Sequence, residues 1–170
     1  QMEKCRLALR AIEVLDRENR IGIDCMKKGV ETCFWAGRME EVRPGVFVDG
    51  AHNADGVRAF LETVRADGYD GKRKLLFSVV SDKDYSLMLR MLTEDELFES
   101  ITLARLESYR GVSVEEMQEK LKSFYRAQIS CYEHVKDALR AVLAGKQKEE
   151  RVYIVGSLYL VGEIKEYLSY

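Results

Sequence analysis

Long apolar runs are missing from this sequence. The longest, such as LLFSVV at 75–80, fall far short of the roughly 20 residues that span a bilayer, and no signal-peptide pattern opens the chain, so a soluble, cytoplasmic protein is expected. An excess of one charge is missing too. The 27 Lys plus Arg stand against 29 Asp plus Glu, a formal net charge of −2, which leaves no polybasic footprint for nucleic acid or an anionic membrane. Cysteine and histidine are sparse. Cys5, Cys25, Cys33 and Cys131 include no C-x-x-C pair and there are only two histidines, whereas a disulfide framework or a zinc site needs closer spacing or more imidazoles. Three of the cysteines lie at apolar positions of helical patterns, so buried free thiols are expected. Phosphate motifs are missing as well: there is no G-x-x-x-x-G-K-[ST] and no G-x-G-x-x-G between a strand and a helix. This chain alone does not cradle a triphosphate in the usual way. What is present is globular material, 46% hydrophobic and 33% charged over 170 residues, enough for one domain with some length left over.

From Met2 to about Asp16, the apolar positions Met2, Cys5, Leu9 and Ile12, flanked by Ala8, Ala11 and Leu15, recur at helical spacing. A second helical pattern runs from about Ile23 to Cys33 through Met26 and Val30. Two helices of this length bury too little surface to offset their ordering entropy. They are expected either to pack on the rest of the chain or to be the trailing end of a preceding domain. A chain that begins at Gln1, with Met2 already inside a helical pattern, also reads as a piece of something longer. After Phe34 and Trp35 the period changes. Segments 38–42 (RMEEV) and 46–49 (VFVD), joined by Arg43, the single proline Pro44 and Gly45, predict a β-hairpin. Strands and helices then alternate: helix 54–66, strand 74–80, helix 84–92, strand 100–104, helix 113–125 with Ser113 and Glu116 as a capping box, strand 128–131, helix 133–144, strand 151–155 and a final helix to about Leu168. Such short, almost continuously apolar strands imply a doubly wound α/β fold. Its mostly parallel sheet is covered on both faces, with an N-terminal β-hairpin and two helices in front. Ligands of this fold sit beyond the carboxyl ends of the strands. The loops to inspect are therefore 49–56, 81–84, 105–112 and 156–158.

The stretch DGAHNADG (49–56) leaves the hairpin with Asp49, His52, Asn53 and Asp55 close together. An EF-hand reading puts Asn53, Asp55, Gly56 and Glu62 at positions 3, 5, 6 and 12, but position 1 is Ala51 and a strand precedes it. A metal site built from Asp49, His52 and Asp55 lacks a second nearby histidine. In the plainer alternative, Asp49 caps the turn, Asn53 or Asp55 caps the helix, and His52 is exposed. SDKD (81–84) places Lys83 where a helix begins, a mildly unfavourable position for a cation that suits an anionic ligand such as a carboxylate. Ser157, after Gly156, can cap the last helix or lend its hydroxyl and neighbouring N–H groups to a carboxylate.

Taken together, WAGRMEEV (35–42), DGAHNADG (49–56), SDKD (81–84) and VGSLYLVGE (155–163) resemble the C-terminal domain of folylpolyglutamate synthase and the bifunctional dihydrofolate synthase, in the Mur ligase superfamily. The W-x-G-R, D-G-A-H-N and G-S-L-Y-L-V-G matches keep their order. The resemblance implies a Rossmann-like C-terminal, glutamate-binding domain over residues 37–170, and makes residues 1–36 the trailing helices of a central ATPase domain. It implies a ligase in which ATP phosphorylates a carboxylate of a folate or dihydropteroate and the amine of L-glutamate attacks the acyl phosphate. Magnesium and the phosphate loop would be held mainly by the central domain, over which the C-terminal domain closes about a hinge near Ala36 and Gly37. By the same resemblance Arg38 and Asp49 approach the nucleotide, His52 serves glutamate and the reaction itself, and Lys83 and Ser157 bind glutamate, with no metal ligand in this domain. A monomer at full length and an isolated piece without turnover are also implied. One departure stands out: Ala54 replaces the proline that usually follows H-N, which leaves the helix start looser without removing chemistry. The competing readings are a stand-alone nucleotide-binding or regulatory α/β module, and an interaction domain whose first two helices dock a partner.

Overall fold

The computed structural model describes residues 2–18 and 20–169. Gln1 lies outside the described residues, as do the side chains of Met2 (the first apolar position of the first predicted helix), Glu3 and Lys4. The chain divides into two compact units, Gln1–Ala36 and Gly37–Tyr170.

The first unit holds α1 (Met2–Leu15) and α2 (Ile23–Glu31). Asp16 turns the chain between them, its carboxylate accepting from the backbone N–H groups of Arg20 (3.0 Å) and Ile21 (2.6 Å). No residue of α2 is buried, and Leu7, Val14, Leu15 and Ile23 are all exposed. Two amphipathic helices alone have no layer to cover them. The cysteines show it. All four are free, as expected, but Cys25 and Cys33 are exposed and Cys5 and Cys131 only partly covered, so the expectation of burial is corrected.

The second unit is a six-stranded sheet of order β1-β2-β6-β3-β4-β5, built from β1 (Glu40–Arg43), β2 (Val46–Asp49), β3 (Arg73–Phe77), β4 (Ser100–Ala104), β5 (Gln128–Tyr132) and β6 (Arg151–Val155). Only β1 pairs antiparallel, through the hairpin to β2; the other pairings are parallel. The connecting helices are α3 (Ala54–Ala66), α4 (Tyr85–Thr93), α5 (Val114–Lys122), α6 (Val135–Ala144) and, after β6, α7 (Leu158–Leu168). Each strand sends alternate side chains to opposite faces. Leu75, Phe77, Tyr153 and Val155 meet α3, α4 and α5 on one side, while Leu76, Val152 and Ile154 meet α6 and α7 on the other. This is the mostly parallel α/β sheet with an N-terminal hairpin that the alternation predicts. Among the described residues, no helix is long and apolar enough to cross a membrane.

Boundaries differ where long-range contacts decide them. β1 begins at Glu40, because Arg38 and Met39 are drawn into a turn in which Gly37 has φ 70° and Met39 φ 43°. β3 ends at Phe77: Ser78 still bonds the Val155 carbonyl (3.4 Å), then Val80 bridges to Gly111 and the Val79 carbonyl takes the Val112 N–H (3.2 Å). The apolar run continues to Val80 because that loop is buried, with no strand to pair it.

Gly156 has φ 127°, and a Cβ there would lie 2.3 Å from the Ser78 carbonyl oxygen. Gly156→Ala is therefore expected to cost about 3 kcal/mol through backbone strain and collision. Gly162→Ala, in α7 with open space around it, should stabilise by about 0.5–1 kcal/mol. Urea unfolding of the two variants checks the opposite signs.

Candidate functional site

The site grows from the end of β2. Asp49 is 5% exposed, and its carboxylate accepts from the Ala51 N–H (2.8 Å) and the Met39 N–H (2.9 Å), with the Arg38 guanidinium 3.4 Å away. Burial pushes the Asp49 carboxyl up, against the pull of the two N–H groups and of Arg38. The turn at 37–40 is thus fastened to the strand end. Two more bonds hold it: the Gly50 N–H donates to the Gly37 carbonyl (2.7 Å), and the Glu40 carboxylate accepts from the Gly37 N–H (2.7 Å) while pairing with Lys165 of α7 (2.7 Å). Leu158 lies against Gly50, where a Cβ would sit 2.2 Å from Leu158 Cδ2 and displace that exposed side chain.

His52 follows on the same loop, with Nδ1 2.8 Å from the Gly50 carbonyl oxygen. A carbonyl only accepts, so Nδ1 carries the proton and Nε2 is left as the acceptor of the neutral ring. Asn53 is the N-cap of α3, accepting from the Gly56 N–H (2.8 Å), and Asp55 pairs with Arg58 (2.7 Å). Asn53 and Asp55, two of the residues that the calcium alternative uses, make these local bonds. Among the described residues, no three His, Cys, Asp or Glu side chains come together to hold a metal ion.

A second group gathers at the ends of β3, β4 and β6. Lys83 lies 3.3 Å from Asp82, and the same Asp82 oxygen is 3.8 Å from the Arg110 guanidinium. The backbone locks these loops together, with the Ser81 N–H donating to the Arg110 carbonyl (2.8 Å). Arg110 also donates to the Tyr159 hydroxyl (3.0 Å), in the first turn of α7. Ser157 caps that helix, its Oγ accepting from the Tyr159 N–H (3.1 Å), and is only 2% exposed.

The predicted residues therefore fall into two groups: Arg38, Asp49 and His52 around the β2 end, and Lys83 and Ser157 connected through Asp82, Arg110 and Tyr159. Among the described residues no hydrogen bond or ion pair joins His52 to Lys83 or Ser157. The two groups follow strands that are neighbours in the sheet, in the order β2-β6-β3. Sequence reasoning missed Arg110, Glu40 and Lys165. Arg110 sits in the 105–112 loop, which the strand-end rule singles out, but nothing local distinguishes it from a solvated charge.

The profile of the family described as Mur ligase, glutamate ligase domain matches residues 37–158. The dihydrofolate synthase/folylpolyglutamate synthase of Bacillus subtilis is 28% identical over 173 residues, covering 99% of this chain and 39% of that protein. Escherichia coli FolC in complex with ADP, without folate substrate, superposes with a TM-score of 0.85 at 22% identity, over 97% of this chain and 38% of that one. The Yersinia pestis bifunctional folylpolyglutamate synthase/dihydrofolate synthase complexed with AMPPNP and Mn ion gives 0.74 at 22%, over 88% and 35%. At these identities the solved structures show the shared fold. The chain spans well under half the length of each.

The two carboxylates that hold the 37–40 turn differ in what their loss should do. Asp49→Ala strips the acceptor from two backbone N–H groups and is expected to cost about 3 kcal/mol. Lys165 beside Glu40, helped by the Gly37 N–H, holds that carboxyl below its usual 4.5. Its stabilisation is then present above about pH 4.5 and lost as pH falls through the lowered folded value. Glu40→Gln should cost about 1–2 kcal/mol at pH 7 and approach the wild type under acid, measured by urea unfolding across pH.

Proposed function

Because the chain belongs to the Mur ligase, glutamate ligase domain family, we propose that it is the glutamate-binding, closing part of an ATP-dependent amide-forming ligase. Its substrates are a folate or dihydropteroate carboxylate, ATP and L-glutamate. The observation that carries this reading is the assembly of an ammonium, a guanidinium and a capped helix start at the carboxyl ends of parallel strands, around Lys83, Arg110 and Ser157. Cations and a helix N-terminus at strand ends suit a dicarboxylate. The names of the relatives, dihydrofolate synthase and folylpolyglutamate synthase, supply the reaction.

In this reading ATP converts the pterin-bearing carboxylate to an acyl phosphate, the glutamate amine attacks it, and the tetrahedral intermediate expels phosphate to leave the amide. The chain's own residues bind and orient. Lys83 pairs with a glutamate carboxylate, and Ser157 marks the α7 start that faces it. His52, with Nδ1–H spent on Gly50, offers Nε2 to the incoming amine as it loses its proton. Arg38 reaches the nucleotide, and Asp49 acts on the nucleotide through the turn and guanidinium it holds. Closure about Ala36 and Gly37 aligns the two reactants and excludes water. Residues 1–36 are the trailing helices of the ATPase domain, a role supported by the exposed apolar side chains of α1 and α2. Magnesium, which the family implies, finds no fitting donor set among the described residues. The full-length protein is cytoplasmic and monomeric, and this piece alone does not turn over.

The test is glutamate-dependent ADP release by the longer protein that carries this chain. Lys83→Ala should raise KM for L-glutamate about 10- to 100-fold, the worth of one charge-assisted contact, with KM for ATP within about twofold. An unchanged KM for glutamate with a raised KM for ATP would overturn the reading.

A further inference from the structure

Asp82 lies between two cations. One of its oxygens is 3.3 Å from Lys83 Nζ and 3.8 Å from Arg110 Nη1, and all three side chains are partly exposed. The lysine contact is a close pair, whereas the arginine contact is longer than a hydrogen bond. Arg110 is nonetheless held in place. Its N–H donates to Ser108 Oγ (3.3 Å), its carbonyl accepts from Ser81, and its guanidinium lies over the rings of Tyr109 (5.9 Å) and Tyr159 (5.6 Å). Of its side-chain donors, one Nη2 bond goes to the Tyr159 hydroxyl, and Nη1 faces Asp82 beyond hydrogen-bond distance on a partly exposed side chain. A planar fork fixed in position with Nη hydrogens unspent is prepared for a carboxylate it does not fully hold.

We propose that Arg110 joins Lys83 in binding one carboxylate of the incoming amino acid, and that Asp82 is the chain's own carboxylate, occupying that position until the substrate displaces it. This rests on the reading of these loops as a glutamate site and deepens it. The cluster carries one net positive charge with Asp82 in place, so the two cations stay paired and ordered when no substrate is present. Substrate binding exchanges a loose contact for a bidentate one to the same guanidinium. Asp82 thereby sets affinity: it is a competitor tethered next to Lys83, and any anion that enters must outbid it. The hydrogen bond to Lys83 is the first cause that holds the Asp82 carboxyl below its usual range, as befits a carboxylate paired with that ammonium.

The sign of one substitution separates this role from a structural one. Affinity for potassium L-glutamate is read from amide shifts of the 170-residue chain at constant ionic strength, balanced with potassium chloride. Asp82→Asn should tighten binding about 3- to 5-fold, Arg110→Gln should weaken it about tenfold, and Arg110→Lys should fall between, because a point charge replaces the fork. Asp70→Asn makes the same charge change in the loop before β3, and should move affinity by less than about 1.5-fold. Should Arg110→Gln lose its dispersed spectrum, Arg110→Lys and Asp82→Asn decide. If the wild type binds glutamate at the 82–84 and 156–158 amides but Asp82→Asn behaves like Asp70→Asn or binds more weakly, the displacement proposal is wrong and the glutamate site stands. If neither the wild type nor Asp82→Asn binds at tens of millimolar, both fall.

Discussion

A carboxylate at the end of a buried strand governs this domain. Asp49 leaves β2 with almost no exposure, where an unpaired charge is costly. It is tolerable because two backbone N–H groups and a guanidinium converge on it. That requirement dictates the local chain path. Met39 must turn its N–H inward at positive φ, and Gly37 must take the left-handed conformation. Arg38 is thereby placed at the strand ends by the same group that it helps to neutralise.

The second consequence is a platform whose loops hold one another. The 37–40 turn is tied to the 49–52 loop, Leu158 packs on Gly50, Gly156 approaches Ser78, and the 78–84 loop is bonded to 108–112. Preorganisation of this kind reduces the entropy that a small charged ligand must overcome. It also explains why so few of the polar groups at the strand ends are free. Asp49, Asn53 and Ser157 are spent on holding backbone, whereas His52 Nε2, Arg38, Lys83 and Arg110 keep donors or acceptors that can meet a ligand.

Much of this was legible from the residues because it depends on period and on local chemistry. The switch from helical spacing to short apolar runs after Trp35 marked the hairpin, and the strand-end rule led to Asp49, Lys83 and Ser157. Asn53 and Ser113 cap the helices that follow them. What stayed hidden depends on partners far away in the chain. Arg38 and Met39 look like strand until a carboxylate ten residues later claims the Met39 N–H. Glu40 meets Lys165 across 125 positions, which no window of spacing can reveal. Arg110 reads as a turn charge until Asp82 and Tyr159 are seen around it. The cysteines were misjudged for a related reason: an apolar helical position is buried only if a layer covers it, and α2 has none among the described residues.

The central claim is that the strand-end platform is a glutamate site. Mapping the amide shifts of the isolated wild-type chain under L-glutamate titration tests it most directly. The expected shifts concentrate in 50–54, 82–84, 109–111 and 156–158. Shifts confined to residues 1–36 or to the opposite strand ends, or none at tens of millimolar, would contradict it.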